Sequence, residues 1–542
     1  MIGVVARVDE HDVVREFFEL FKTPWEFCRP NRRYEVVLHA GEGSDRPPAK
    51  VVVAYGSQLT VFDEDGKRRP GEGRQDTTLS WNGDLIPVFG RCADFPADGG
   101  SASLVLERTG EPVVSTTRAN GSTVVRVGYD LFGEIHRLLT TGQPARHAGI
   151  PTLERHIAFL RQTIVSAGVP LVEIPPIPPG YRFIACLTHD LDHPFIRLHR
   201  GDHTMFGFLY RALVRSAIDV SRGRMRPRTL GRNWMAALSL PLVHAGLVKD
   251  FWAGFDRYLE IEKGLGSTFF VIPRKGSAGR TLDGPAPRIR AAAYGVADIA
   301  AQLKDLRAAG CEIALHGIDA WLDTPSGVRE RRLVAQVTGD SPTGVRMHWL
   351  FSDGRTPARL EEAGFGYDST CGYNGAVGFR AGTLQAFRPP AARRLLELPL
   401  HIMDTALFAP SHLDLTSEAA RELVWPLVDE AERYGGALTI NWHDRSLAPE
   451  RLWGGFYVEL VNELKRRGAW FPTAAAAVEW FRRRRAAACD ALSQDGEGAD
   501  VPASAGRQPD LPGLRLRVHS AWHPGRFTDE PLRTAAGPAV TV

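Results

Sequence analysis

The sequence lacks the features of a membrane-spanning, disulfide-stabilised or nucleic-acid-binding protein. Its nearest approach to a long apolar run, residues 234–248, contains Pro241 and His244 and is shorter than the about 18 apolar residues needed to cross a bilayer. Only six of its 542 residues are cysteines and none is spaced as Cys-x-x-Cys, which excludes a disulfide framework or a cysteine zinc site. A net charge of +3 is too small to indicate nucleic acid as a partner.

Two further absences guide the interpretation. The first 17 residues have no basic segment followed by a long apolar one, so no signal peptide is expected and the prediction is a cytoplasmic protein. There is no Gly-x-x-x-x-Gly-Lys-Ser/Thr phosphate loop and no convincing Gly-x-Ser-x-Gly nucleophile elbow. We interpret residues 234–248 as a buried helix, with a membrane-surface or partner-binding segment as the alternative. The role of the insertion 204–248 is left open.

Composition and pattern divide the chain into three parts. Residues 1–175 combine strand-like and helical patterns, which predicts a smaller α/β domain of unknown role. The proline-rich stretch 175–179 indicates a stiff connector. From residue 490 to 542 the chain is rich in Gly, Pro, Ser and Asp, which predicts a disordered tail.

Between these parts, residues 181–488 alternate strands with helices. Helical patterns cover 298–309 and 417–434, and apolar strand candidates lie at 183–187, 267–272, 312–315, 344–347, 397–400 and 437–441. Repeated βα units imply a parallel sheet, and their number predicts a (β/α) barrel that is closed or nearly closed.

Polar residues follow several of these strands. The first strand leads into Asp190 and Asp192, and the third ends at His316. The fourth ends at Arg346 and His348, and the last leads into His443 and Asp444. Because the C-terminal strand ends of such a barrel meet on one face, these side chains are expected to form one site.

Imidazole and carboxylate side chains at this face predict a hydrolytic site that uses a divalent metal ion. We assign Asp192, His316 and His348 as the metal ligands and Asp190 as the base that takes a proton from the attacking water. Arg346 would keep Asp190 ionised. His443 would donate a proton to the leaving nitrogen.

These stretches resemble the polysaccharide deacetylase superfamily, the NodB-homology or carbohydrate esterase type. The chain is more similar to a divergent branch with a THDxDH first motif and a separate N-terminal domain. The resemblance covers about residues 180–475; its stretches are CLTHDLDH, STFFVIP, EIALHG, GVRMHWL, GFGYDSTCGYNGAVGFRAGT, ELPLHIMD and INWHD. It implies a distorted (β/α) barrel, one divalent ion and hydrolysis of N-acetyl groups on amino sugars. Zinc is the first choice of metal, with Co²⁺, Mn²⁺ or Ni²⁺ as alternatives.

Departures from the family pattern leave two assignments open. An extra residue separates the two acids of the first motif, so the roles of Asp190 and Asp192 could be exchanged. The usual His-x-x-x-His motif has Ala320 at its second position. His348 is therefore assigned as the missing ligand, with Asp319 as the alternative.

Other polar and aromatic residues are assigned to the substrate or to the scaffold. Asp368 and Arg380 lie in a glycine-rich loop region expected to shape the pocket, and Arg380 could equally form a structural salt bridge. Trp442 and Trp349 adjoin predicted site residues and could stack on a sugar. We expect His189 and His193 to be structural. Asp404 could orient a histidine or act as a helix cap.

The sequence thus predicts a metal-dependent deacetylase in the cytoplasm, acting on an amino sugar or polysaccharide intermediate, such as a nucleotide- or lipid-linked amino sugar made for a surface polysaccharide. A hydrolase of a small amide, imide or ureide is the second possibility. A lapsed, binding-only homologue is the third. No transmembrane span is expected, and peripheral membrane contact is left open.

Overall fold

The computed structural model describes residues 1–40, 46–63, 69–96, 103–119, 121–223, 225–451, 453–487 and 511–532. The first part is an α/β unit with two sheets. Its strands are β1 Ile2–Val5, β2 Trp25–Phe27, β3 Tyr34–His39, β4 Ala49–Tyr55, β5 Arg74–Trp81, β6 Asp84–Cys92, β7 Leu104–Leu106, β8 Val114–Ala119 and β9 Ser122–Val127. A six-stranded sheet has the order β2-β1-β3-β4-β9-β8, and β6-β5-β7 form an antiparallel sheet.

Three helices complete this unit: α1 His11–Phe21, α2 Leu131–Thr140 and α3 Thr152–Ser166. Valine-rich β4 is buried on both faces, because Val51 and Val53 join the main core of the unit while Val52 joins a smaller cluster. A parallel strand covered on both sides is apolar throughout.

The second part is built on one curled sheet of parallel strands. They are β11 Phe183–Leu191, β12 Ser267–Val271, β15 Glu312–Gly317, β16 Gly344–Met347, β17 Tyr367–Asp368, β18 Leu396–Glu397, β19 Ile402–Met403, β20 Ala437–Asn441 and β21 Ala469–Trp470. Between β12 and β15 lies the small hairpin of β13 Arg280–Thr281 and β14 Gly284–Pro285. The order is β18-β17-β16-β15-β12-β11-β20-β19, with β21 also paired to β11.

The two edges of this sheet lie next to each other. Edge strands β18 and β19 are joined by residues 398–401 alone, and four residues can span only about 14 Å. Leu400 N donates to Cys371 O beyond β17, and His401 N donates to Thr439 O in β20, so the connector bonds to both sides. The predicted distorted (β/α) barrel is confirmed.

Helices α4–α14 accompany the barrel. They are α4 His203–Leu209, α5 Ser216–Ser221, α6 Pro227–His244, α7 Phe255–Ile261, α8 Ala300–Ala308, α9 Thr324–Thr338, α10 Thr356–Glu362, α11 Asp404–Phe408, α12 Ser417–Tyr434, α13 Gly454–Arg466 and α14 Ala474–Ala486. A π-helical turn, Tyr210–Arg215, joins α4 to α5. No described helix is long and apolar enough to cross a membrane.

The structure differs from the sequence-based strand predictions in two places. Strand β11 continues through Asp190 to Leu191, instead of ending at residue 187, because Asp190 is paired inside the sheet. Of the predicted strand 397–400, only Glu397 lies in a strand, β18, and the rest belongs to the connector that leads to β19, since the chain changes edges there. Residues 511–532, within the segment predicted to be disordered, include the hairpin β22 Arg515–His519 and β23 Phe527–Pro531. Residues 490–510 and 533–542 lie outside the described residues.

Buried polar contacts join the two parts of the chain. Strand β10, Leu171–Glu173, pairs with β22. Arg484 of α14 is fully buried and donates to the carbonyl oxygens of Glu19 and Leu20 at 3.1 and 3.0 Å. These carbonyls belong to the last turn of α1, where helices leave carbonyls unsatisfied. A cation from the barrel therefore caps a helix of the N-terminal unit.

Candidate metal centre

Three predicted ligands come together at the C-terminal strand ends. Asp192 follows β11, His316 lies in β15 and His348 follows β16. One ligand atom from each falls within 4.8 Å of the others. Asp192 Oδ1 lies 3.3 Å from His316 Nε2 and 3.3 Å from His348 Nδ1, and the two nitrogens are 3.1 Å apart.

Backbone carbonyls set the proton positions on both imidazoles. His316 Nδ1 lies 3.0 Å from Arg346 O, and His348 Nε2 lies 3.1 Å from Arg290 O. A carbonyl oxygen can only accept, so each of these nitrogens carries a proton. In the neutral rings, the facing nitrogens present lone pairs to each other and to a carboxylate. Burial lowers the pKa of His348, which favours its neutral form.

This arrangement fits a divalent metal ion. Bonds of about 2.0–2.1 Å to a tetrahedral ion separate its ligands by about 3.3–3.4 Å, close to the observed separations. Asp192 Oδ1 is buried without a hydrogen-bond donor among the described residues. The lone pairs of His316 Nε2 and His348 Nδ1 and the oxygen Asp192 Oδ1 converge with no proton between them. A cation stabilises such an arrangement.

Asp190 lies beside this group and is held by two neighbours. Arg346 Nη1 donates to its Oδ1 at 2.9 Å, and Asn441 Nδ2 donates to its Oδ2 at 2.7 Å. Burial alone would raise the pKa of Asp190, but the Arg346 charge together with the neighbouring His316 and His443 outweighs burial, and the pKa is lowered. Asp190 is therefore an ionised carboxylate, and its Oδ2 lies 3.8 Å from His316 Nε2.

Arg346 is itself fixed on every side. It is fully buried, lies 4.3 Å from the centre of the Phe270 ring and donates through Nη1 to Thr188 Oγ1 at 2.8 Å. Its Nε and Nη2 donate to the carbonyl and hydroxyl oxygens of Ser369 at 3.0 and 2.9 Å. The side chain therefore orients Asp190 rather than entering the cavity.

His443 faces the predicted ligands Asp192, His316 and His348 from the opposite side of the site. Its Nε2 lies 3.7 Å from Asp192 Oδ2, and its Nδ1 lies 2.6 Å from Asp404 Oδ1. Burial opposes a charge on this ring, but the carboxylates of Asp404, Asp192 and Asp190 together outweigh burial and raise the pKa of His443 to about 9. His443 is therefore a protonated group in this arrangement, and its contact with Asp404 sets the orientation of the ring. Of the two roles weighed for Asp404, the contacts match histidine orientation.

A cavity of about 640 Å³ opens above these residues. Asp190, Asp192, His316, His348 and His443 line it, together with the half-exposed Trp349. Trp349 adopts a left-handed backbone conformation, φ 63°. Strain of this kind is found where a side chain is held for function.

Three predicted substrate contacts do not lie among the described residues that line the cavity. Trp442 is fully buried and stacks on Tyr457 with ring centres 5.0 Å apart, because strand alternation turns it to the helix layer. Asp368 is buried beside Thr370, and burial raises its pKa to about 6. Arg380 Nη1 donates to Gly372 O at 2.7 Å, so it stabilises its own loop.

The remaining candidates are held by contacts within the protein. Asp319, the alternative ligand, accepts from Arg280 N at 2.8 Å and pairs with Arg274 at 3.1 Å. His189 Nδ1 contacts Trp442 O at 2.8 Å, and its Nε2 lies 3.0 Å from Glu262. His193 Nδ1 lies 3.2 Å from His199 Nε2, although His193 also lines the cavity.

Sequence reasoning missed several residues of the site. Asn441 pairs with Thr188 in the register of β20 and β11, so a correct strand pairing would have placed it next to Asp190. Arg445 follows the predicted His443 and Asp444 and lines the cavity. Arg211 also lines the cavity, but it comes from the insertion and nothing in its local sequence indicates this position.

The curled parallel barrel is the fold that the resemblance to polysaccharide deacetylases implies. No protein-family model and no curated protein matches the sequence. Among solved structures, a polysaccharide deacetylase from Mycobacterium smegmatis is 20% identical, covering 57% of this chain and 95% of its own, with a TM-score of 0.37. One from Pseudomonas aeruginosa is 16% identical, covering 57% and 94%, with a TM-score of 0.37. An allantoinase is 16% identical, covering 56% and 91%, with a TM-score of 0.35. At these values the matches carry no argument about activity.

Proposed function

We propose that the protein is a metal-dependent hydrolase that removes an N-acetyl group from an amino sugar of a surface-polysaccharide intermediate. The observation that carries the proposal is the convergence of Asp192 Oδ1, His316 Nε2 and His348 Nδ1 at 3.1–3.3 Å. An ionised carboxylate and a protonated imidazole flank this group. A site that only binds a ligand has no need of all these parts together.

Asp192, His316 and His348 would hold the ion, for which zinc is our first choice because imidazole and carboxylate ligands suit it. A bound divalent ion supplies Lewis acidity and lowers the pKa of water. Asp192 is the better ligand of the two acids, since its Oδ1 is 3.3 Å from His316 Nε2 whereas Asp190 Oδ2 is 3.8 Å away. This separation supports the original assignment of the two roles.

The protein groups then divide the proton transfers. Water adds to the acetyl carbon while its proton passes to the Asp190 carboxylate, which Arg346 and Asn441 hold in place. The C–N bond breaks as His443 gives its Nε2 proton to the leaving nitrogen, and the products are acetate and a free amine. The base must be ionised and the acid protonated at the same pH, as Asp190 and His443 are here.

The N-acetyl substrate class rests on the motif resemblance, which extends through most of the barrel. Hydrolysis of a small amide, imide or ureide would use the same groups and differs only in the substrate.

Metal content and acetate release test the proposal together. Purified protein should contain about one divalent ion per chain, and His316→Ala and His348→Ala should each lose it. His412→Ala is the matched control, because His412 lines the same cavity but is exposed and not one of the three ligands. Acetate should be released from acetylated amino sugars by wild type and this control alone. Release only from small amides or ureides would favour the second substrate class, and protein that takes up no zinc, cobalt or manganese would refute the mechanism.

A further inference from the structure

Three arginines lie beside the catalytic cavity in an arrangement that the proposed hydrolysis does not use. We define the arginine cluster as Arg211, Arg445 and Arg451, with Glu450 next to them. Arg211 and Arg445 line the catalytic cavity. Arg211 also lines a second cavity of about 640 Å³, together with Arg451 and Glu450. Arg211 therefore stands where the two cavities meet.

Among the described residues, one carboxylate lies within salt-bridge distance of the cluster, while Asp404 and Asp444 act on it from farther away. Its nearest carboxylate is Glu450, whose Oε1 lies 3.9 Å from Arg211 Nη2 and also accepts from Trp252 Nε1 at 3.1 Å. Burial, and then the nearby Arg445 charge, lower the pKa values of Arg211 and Arg451. Neighbouring guanidinium groups repel one another, and a bound anion would relieve that repulsion.

Several donors of the cluster are also unsatisfied. Arg211 Nε, Arg211 Nη2 and Arg451 Nε are buried and have no hydrogen-bond acceptor among the described residues. Buried donors without acceptors are costly. Guanidinium groups bind phosphate and carboxylate oxygens through paired hydrogen bonds.

We propose that the arginine cluster binds an anionic group of the substrate, of the phosphate class, so that the acetylated amino sugar carries a phosphate or phosphodiester. This inference rests on the proposed function and adds the substrate class to it. Arg445 is two residues from His443, which places an anion-binding group next to the proton donor.

Binding and kinetics test the cluster separately. Inorganic pyrophosphate should bind to His316→Ala protein, in which chelation by the metal site is removed, and binding should weaken at least tenfold when Arg211→Gln is added. Arg288→Gln is the control, since Arg288 is exposed and adjacent to the cavity-lining Ile289. If Arg211→Gln fails to fold, as judged by circular dichroism, Arg445→Gln takes its place.

The kinetic arm compares N-acetylglucosamine with its 1-phosphate, a nucleoside-diphosphate derivative and N-acetylmuramic acid. The preference in kcat/KM for phosphate-bearing sugars should fall at least tenfold in Arg211→Gln and remain in the control. A preference for the carboxylate sugar, or for the neutral one, would overturn the phosphate assignment. Pyrophosphate binding without acetate release from any sugar would refute the proposed function but support anion binding by the arginine cluster. Acetate release without pyrophosphate binding would refute the cluster alone.

A second and independent observation concerns the outer surface of the insertion. Of 21 large hydrophobic residues that are exposed in the described chain, ten lie between residues 206 and 248. We call them the apolar face; they are Phe206, Tyr210, Leu213, Val214, Trp234, Met235, Leu238, Leu242, Leu247 and Val248. Exposed apolar groups gathered in this way mark interaction sites.

Helical spacing places the apolar face away from the barrel. In α6 the exposed Trp234, Leu238 and Leu242 recur every four residues. The buried Ala237 and Leu240 of the same helix pack in a cluster with Phe208 and Trp252. The sequence-based interpretation of 234–248 as a buried helix is thus wrong for its outer side.

Charge indicates what covers this face. Residues 203–249 contain seven arginines and one lysine but a single acid, Asp219, while the whole chain has a net charge of only +3. Five of these basic side chains are exposed; they are Arg222, Arg226, Arg228, Arg232 and Lys249. We infer that the apolar face docks on an anionic lipid surface, lying on it rather than crossing it. Two copies of so basic a surface would repel each other.

Vesicle sedimentation tests this docking. The full chain should bind vesicles containing anionic phospholipid about tenfold or more tightly than neutral ones, and added salt should weaken binding. Trp234→Glu with Leu238→Glu should abolish binding, whereas Leu59→Glu, at a site 61% exposed in the N-terminal unit, should not. Equal binding to neutral vesicles, or a dimer that the double variant dissociates, would overturn the inference.

Discussion

The buried pair of Asp190 and Arg346 should dominate the stability of the candidate site. Arg346→Met keeps much of the side-chain volume but removes the four hydrogen bonds that the guanidinium donates. It also leaves Asp190 ionised in a buried position. Removing one partner of a buried ion pair costs about 3–5 kcal/mol, so we expect a loss of that size at pH 7.

The second variant, Asp190→Asn, removes the charge but not the shape of the acid. It leaves Arg346 with its Thr188 and Ser369 contacts, so its cost should be smaller. The double variant removes both charges and should be more stable than the sum of the two single effects predicts, by about 2 kcal/mol. Urea unfolding of chelator-treated protein, followed by tryptophan fluorescence, gives the free energy of unfolding of wild type, the two single variants and the double variant.

The pH dependence has a defined sign. The folded pKa of Asp190 lies below its ordinary value of 3.8, so the stabilisation by the pair is present above that value and is lost as pH falls through the folded pKa. In Arg346→Met the acid can be protonated at higher pH, and the penalty should shrink between pH 7 and pH 4. Additive effects within 0.5 kcal/mol, or a penalty independent of pH, would refute the assignment of a charged pair.

Three further results are expected. Asp404→Asn should lower the pKa of His443 from about 9, because only the carboxylates of Asp192 and Asp190 would then oppose the effect of burial. NMR titration of metal-free protein would show no change in this pKa if Asp404 were only a cap. Acetate release should fall about 10²–10⁴-fold. Glu173→Gln should cost about 3 kcal/mol at pH 7, since burial raises the pKa of Glu173 but Arg161, His519 and Arg517 together outweigh burial and lower the pKa from 4.5 to about 2. In urea unfolding the difference from wild type should vanish as pH falls from 4.5 towards 2, and a constant difference would contradict this. The Trp349→Gly variant should be at least about 1 kcal/mol more stable to unfolding than Trp349→Ala, because only glycine adopts φ 63° without strain. Both variants should raise KM if the indole contacts the sugar.

The sequence was sufficient to bring Asp192, His316 and His348 together but not to identify the residues that surround them. Asp192, His316 and His348 could be predicted because the C-terminal ends of parallel strands meet at one edge, whatever the exact strand order. Asn441 could not, because its contact with Asp190 depends on the register of β20 against β11. Its neighbour Trp442 was assigned to the pocket from adjacency to His443, yet one step along a strand reverses the direction of a side chain.

Residues of the insertion were beyond sequence reasoning for another reason. Arg211 reaches the cavity only because α4 and the π-helical turn fold back over the barrel. No periodic pattern in the sequence predicts that position of Arg211. The outer side of α6 illustrates the same limit, since an apolar helix that is buried and one that is half exposed have similar composition.

The contact of Arg484 with the end of α1 has a consequence for how the molecule comes apart. Besides its bonds to Glu19 and Leu20, this guanidinium donates to Ile174 O at 2.8 Å and Gln385 Oε1 at 3.0 Å. A barrel released from residues 1–175 would retain the cation and lose three of these acceptors at once. The two halves are therefore interdependent rather than interchangeable modules. Their denaturation should be a single cooperative event, and a relative could exchange one half only by replacing Arg484 as well.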